Sequence, residues 1–240
     1  MVCSSICGRL RFSLIRNDLN KIPELTAISE EPSAVCIGAM ANHFTVSRSE
    51  IVRTKIPALA QLAAGIGDPL VRNRGTIGGS ISHNDPAACY PSSILALGVT
   101  IHTSRRAIPA DDFVTGTFST TLEEGELVVA VNFPVPEKAA YIKFINSSSR
   151  FSIVGIFLAR HRAGIRVGVT GAGHHAFRAS ALEQALDEEF SPEKVRSLTF
   201  SPAGLLDDIY GSAEYRAHLI PELTARAVEH CVAGTPRAIL

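Results

Sequence analysis

The residues best suited to chemistry crowd into one stretch, Gly67-Asp68-Pro69-Leu70-Val71-Arg72-Asn73-Arg74-Gly75-Thr76-Ile77-Gly78-Gly79-Ser80-Ile81-Ser82-His83-Asn84-Asp85-Pro86, where glycines, small hydroxyls and bases mix without amphipathic spacing. Gly75, Gly78 and Gly79 free the backbone for positive φ and for close approach of a ligand, so exposed amides are expected there. Thr76, Ser80 and Ser82 add hydroxyls suited to phosphate or ribityl oxygens. The implied chemistry is capture of a phosphorylated cofactor. The alternative is a set of glycines that merely folds a tight hairpin. No GxxxxGK(S/T) run occurs, and no GxGxxG lies between a predicted strand and a helix, so neither a P-loop nor a Rossmann site is supported. Nothing resembles a nucleophile beside a base, and no catalytic residue is expected.

The elements that must position this stretch read as follows. Ala34 to Met40 predicts a short strand ending at Gly38-Ala39. Thr45 to Glu50 and Ile56 to Ala64 carry apolar residues at helical spacing, with Asp68-Pro69 expected to stop the second helix. Asp85-Pro86 resembles a helix start leading to Ser92 through Ala96, which places the glycine run as a loop between two helices. Strand alternation marks 99–103, 127–133, 140–145, 153–160 and 165–170, with a hairpin at His161-Arg162-Ala163-Gly164. The remainder reads as helical, ending in a helix from Ala213 that Pro221 should kink. The prolines of Pro134-Val135-Pro136 mark a lobe boundary near residue 137.

The whole chain sets further bounds. Its 240 residues are 46% hydrophobic and can bury a sizeable core, while 23 basic residues balance 23 acidic ones, which leaves no field to draw nucleic acid or acidic lipid. No apolar run approaches the roughly 18 residues of a membrane span, and the start lacks a signal-peptide layout, so a cytoplasmic protein is expected. Cys3, Cys7, Cys36, Cys89 and Cys231 contain no CxxC pair, and therefore predict neither a disulfide framework nor a zinc or ferredoxin-type site. His174-His175 would point to opposite faces of an extended segment and should not chelate one metal.

Asp68 through Ser80, followed by Asp85-Pro86-Ala87-Ala88, resembles the second flavin loop of the FAD-binding subunit of molybdenum hydroxylases, the family of carbon monoxide and xanthine dehydrogenases. The likeness extends through Ile37-Gly38-Ala39, Ile108-Pro109-Ala110-Asp111-Asp112-Phe113, Gly125-Glu126-Leu127 and Ser212-Ala213-Glu214-Tyr215-Arg216, from about residue 9 to the end. It implies an α+β fold with an antiparallel sheet and helices: a PCMH-type FAD-binding domain at 1–137, lacking most of its N-terminal lobe, then a smaller C-terminal α+β lobe at 138–240. The Ala-Gly-Gly turn that cradles the diphosphate in the family has no equivalent in Met1 to Gly8.

By the same resemblance the chain binds FAD, accepts electrons from a two-cluster iron–sulfur subunit and passes them to an external acceptor. It would do so beside a molybdopterin-binding large subunit, with no nucleic acid and no membrane insertion. Thr76, Ile77, Gly78, Gly79 and Ser80 match the loop that meets the flavin side of FAD. His83 and Val128 match further cofactor contacts, and Cys89 stands where the family has an aspartate. Lys143 matches a lysine near the isoalloxazine, where a cation favours the anionic reduced flavin; a solvated strand lysine is the alternative. Arg72 and Arg74 read as structural, paired with carboxylates. Two other readings stay open, a degenerate family member without FAD and a different nucleotide-binding module.

Overall fold

The computed structural model describes residue 19 and residues 22–233. Cys3, Cys7, Met1 to Gly8, Arg9-Leu10 and most of the 17–21 stretch lie outside the described residues. Helix α1 (Pro23–Thr26) and strand β1 (Ile28–Glu30) lead into β2 (Ala34–Gly38). Three short helices follow, α2 (His43–Arg48), α3 (Glu50–Lys55) and α4 (Pro57–Ala64). Each start has a local cause. The Asn42 side chain accepts the Thr45 amide at 2.7 Å, the Ser49 hydroxyl accepts the Val52 amide at 3.4 Å, and Pro57 sits in the first turn of α4.

The chain continues through α5 (Pro69–Arg74), α6 (Ile77–His83) and α7 (Tyr90–Leu97) to β3 (Thr100–Thr103), β4 (Ala107–Pro109), α8 (Ala110–Phe113), β5 (Val114–Gly116), β6 (Ser119–Thr120) and β7 (Val128–Pro134). The order β1-β2-β7-β3-β4 makes an antiparallel sheet, and β5 pairs with β6. A second antiparallel sheet, β11-β10-β9-β8, joins β8 (Lys138–Ile145), β9 (Ser152–His161), β10 (Gly164–Thr170) and β11 (Phe177–Arg178). Helices α9 (Ser180–Glu188), α10 (Pro192–Arg196) and α11 (Ala213–Ala233) complete an α+β architecture.

Three expectations are corrected. Asp68-Pro69 opens α5 instead of ending α4, because the Asp68 carboxylate accepts the Val71 amide at 2.9 Å. The glycine run is not a loop, since Ile77–His83 is helical. Asp85 does not cap a helix: it accepts the Ala87 amide at 2.8 Å in a turn, and α7 begins at Tyr90. The 161–164 hairpin forms as expected, with His161 opposite Gly164 and Gly164 at φ 133°. Helix α11 continues through Pro221.

Two hydrophobic cores share the second sheet. On β8 and β9 the residues Tyr141, Phe157 and Ala159 join a core with β2, α4, α7 and β7, whereas Ala140, Ile142, Val154, Ile156 and Leu158 join α9 and α11. The alternation follows from the two-residue period of a strand buried on both faces.

Candidate functional site

Helix α6 is organised by its own first residues. The Thr76 hydroxyl accepts the Gly79 amide at 3.1 Å, and the Thr76 carbonyl accepts the Ser80 amide at 3.0 Å. The Ile77 and Gly78 amides are bound by the Ala41 and Ala39 carbonyls at 3.1 and 2.8 Å. The expected cradle of free amides at 77–80 is therefore absent, because capping and pairing with the chain after β2 consume all four donors. Nor does positive φ explain the glycines: Gly75 has φ −67°, and Gly78 and Gly79 lie within the helix. They serve close approach instead. A Cβ on Gly78 would lie 2.6 Å from the Ala39 Cβ, and one on Gly75 would lie 2.5 Å from His43 Nε2.

A cavity of about 460 Å³ opens beside this helix, lined from the segment itself by Thr76, Gly79, Ser80 and His83 and from elsewhere by Cys89 and Lys143. Six of the nine expected contact residues thus line this one cavity. Ile77 and Gly78 are buried behind it, and Val128 packs half-buried against the N-terminal core. The Asp85–Ala88 turn is held to this wall from the end of β10, where the Thr170 hydroxyl meets the Pro86 and Ala88 carbonyls at 2.9 and 2.6 Å. Asn84, buried at φ 48°, closes α6 and donates to the Gly116 and Ser119 carbonyls, both at 2.8 Å.

Lys143 is no solvated strand lysine: it is 1% exposed, and its ammonium donates to Gly65 O at 2.8 Å, Arg150 O at 3.2 Å and Cys89 Sγ at 3.5 Å. Strand β8 points it inward, and the bonds tie together three segments of the cavity wall. Arg72 is structural, but through carbonyls instead of carboxylates, donating to Ile66 O at 3.0 Å and Gly67 O at 2.8 Å. Arg74 has no carboxylate partner among the described residues, and it lines the cavity.

Sequence reading missed His43, Arg150 and Phe151, which also line the cavity. His43 is 4% exposed and tilts against the Tyr90 ring at 5.4 Å, with Nδ1 buried and without a hydrogen-bond partner among the described residues. Burial, aided by the Arg72 charge, lowers its pKa to about 4, so the ring is neutral at ordinary pH. Its signal was faint: a histidine just after the Asn42 cap becomes informative once the bare Gly75 backbone is seen to face it.

These residues fit a flavin cofactor by their side chains. The volume lies within the ~300–1,000 Å³ of small-molecule sites, and apolar walls meet a few hydroxyls and cations. Among the described residues no His, Cys, Asp and Glu cluster could hold a metal, and no helix is long and apolar enough to cross a membrane. His175 instead contacts the Ala176 carbonyl at 2.8 Å.

Comparison with known proteins agrees with this chemistry. A family model described as the FAD binding domain in molybdopterin dehydrogenase matches residues 15–136. The carbon monoxide dehydrogenase medium chain of Hydrogenophaga pseudoflava is 33% identical over 92% of this chain and 83% of its own length. The nicotine 6-hydroxylase medium subunit of Paenarthrobacter nicotinovorans is 32% identical over 91% and 82%. A solved structure of the Hydrogenophaga carbon monoxide dehydrogenase superposes with a TM-score of 0.82 at 34% identity, covering 91% of this chain and 82% of that one.

Proposed function

Because the chain belongs to the FAD-binding subunits of the molybdopterin dehydrogenase family, we propose that it works in the cytoplasm as the electron-transferring flavoprotein subunit of a molybdenum hydroxylase, with its cofactor seated in the cavity beside α6. The observation that carries the reading is that the matched segment, 15–136, contains the Thr76–Cys89 wall of that cavity. FAD supplies the redox chemistry, taking up electrons and passing them to an external acceptor. The protein supplies position and field.

In this reading Thr76, Gly79 and Ser80 present the edge of α6 to the cofactor, and the absence of a side chain at Gly79 lets it approach the helix closely. Lys143 contributes a fixed positive charge that favours added negative charge nearby. His43 and Phe151 add ring surface to the lining. Ile77, Gly78 and Val128 act from behind, by holding the contacting residues in place. We place the lobes of the subunit at 1–137 and 138–240, joined through the shared sheet.

Cysteine spacing supplies no cluster ligands, so electrons must arrive from a second polypeptide. The complex purified from its source should be yellow, with FAD released on denaturation and a two-cluster iron–sulfur subunit and a molybdopterin-binding large subunit present. A colourless complex of the same composition would overturn the flavoprotein reading and favour a degenerate scaffold. An active stand-alone oxidoreductase would overturn the partner assignment.

A further inference from the structure

Tyr141 and Lys143 lie two residues apart on β8 and so share one face of the strand, where both meet Cys89. The Lys143 ammonium is 1% exposed and donates to the Cys89 sulfur at 3.5 Å, and among the described residues no carboxylate pairs with it. Opposite Lys143 on β9 stands Gly155. A Cβ there would lie 3.2 Å from the Tyr141 hydroxyl and 3.3 Å from the Ser152 hydroxyl, so both oxygens gather over bare backbone. The Ser152 hydroxyl lies in turn 3.9 Å from the Cys89 sulfur. The Tyr141 hydroxyl is buried, 3% exposed, with no hydrogen-bond partner among the described residues. Burial, then the neighbouring Cys89, holds its pKa well above the ordinary value, and it keeps its proton.

Cys89 also stands at the N-terminus of α7, where its side chain makes no capping bond. A cationic neighbour and a helix N-terminus are the surroundings that stabilise the thiolate through which cysteine reacts. In the other described cysteines burial prevails. It raises the Cys36 pKa, aided by the Glu31 charge, and it outweighs the Lys138 charge to raise that of Cys231 to about 11. Cys89 is only 6% exposed, yet it lines the cavity of about 460 Å³, so access is reserved for a small reagent. Tyr141 adds the remaining part, a buried donor with nothing to bond beside a sulfur that can gain an oxygen.

We propose that Cys89 is a modification site, a thiol that hydrogen peroxide oxidises to a sulfenic acid within the cavity. The sulfur attacks one peroxide oxygen, the S–O bond forms as the O–O bond breaks, and the sulfur gives up two electrons to the peroxide. The departing hydroxide leaves as water, with the proton that the thiol has lost. Lys143 is the positioning residue that holds negative charge on the sulfur, and the Tyr141 hydroxyl is the donor placed to receive the new oxygen. The site does not rest on the FAD reading, because every group in it belongs to the chain.

The test treats the full chain, freed of any flavin, with equimolar hydrogen peroxide, traps sulfenic acid with dimedone and maps the label by mass spectrometry. Cys89 should carry label ahead of Cys36, although Cys36 is the less buried of the two. Lys143→Met should slow labelling of Cys89 by about tenfold, the loss of one neighbouring charge. A second comparison needs no variant: urea scatters the same groups, and in the unfolded chain Cys89 should label no faster than Cys36. Labelling of Cys36 ahead of Cys89 in the folded chain would overturn the proposal. So would a lead of Cys89 over Cys36 that survives urea, or an unchanged Cys89 rate in a Lys143→Met variant that retains its folded circular dichroism.

Discussion

His43 shows how one side chain couples the cavity to solution conditions. Its pKa is near 4 when folded against 6.5 for a free imidazole, so between these values the unfolded chain binds more protons than the folded one. The stability contributed by the neutral ring is complete above about pH 6.5 and is lost as pH falls through about 4. Urea midpoints measured across this window should drop with acidity, and His43→Phe should flatten that part of the profile. An unchanged profile in the variant would assign the acid sensitivity elsewhere. At this scale Thr76, Ser80 and Lys143 were legible because their types recur in a family pattern. His43 and Arg150 were not, since nothing near them in sequence announces that Gly75 or the Lys143 ammonium will meet them.

Among the elements, α6 departs most from expectation. Two glycines disfavour a helix by about 1 kcal/mol each relative to alanine, and composition alone reads the segment as a loop. Tertiary context overrides this: the Thr76 hydroxyl caps the first turn, and the Ala39 and Ala41 carbonyls take the Gly78 and Ile77 amides. Loss of the cap should be measurable. Thr76→Val should cost about 1 kcal/mol in chemical denaturation, whereas Thr76→Ser, which retains the acceptor, should cost little. A valine variant as stable as the original would show that packing on Ala39 alone sets the helix. The strands were more readable, because β7, β8, β9 and β10 carry alternation or apolar runs bounded by turns that backbone pairing preserves. Asp68 and Asp85 show the remaining gap. Both precede proline, yet one caps α5 and the other only turns the chain, a difference decided by whether the following residues can complete a helical turn against their neighbours.

At the level of the whole molecule, the two cores meet through β8 and β9, whose alternate residues face opposite sides. Neither core keeps its boundary if the shared sheet is lost. Unfolding should therefore proceed as one transition, with far-ultraviolet circular dichroism and tyrosine fluorescence giving coincident denaturant midpoints. Two separated midpoints would show that the cores melt independently. The α+β class was legible because helical and strand periods segregate along the sequence, but the sharing of a sheet between cores depends on long-range pairing that periodicity does not encode.

The Lys143 bonds to Gly65 and Arg150 fasten β8 to the turn after α4 and to the turn before β9, both of which border the recess. The ordering cost of these bordering segments then falls on folding, not on encounter. Such a receptacle should fill at a speed governed by diffusion and charge attraction, and should discriminate by rejecting what does not already match its outline.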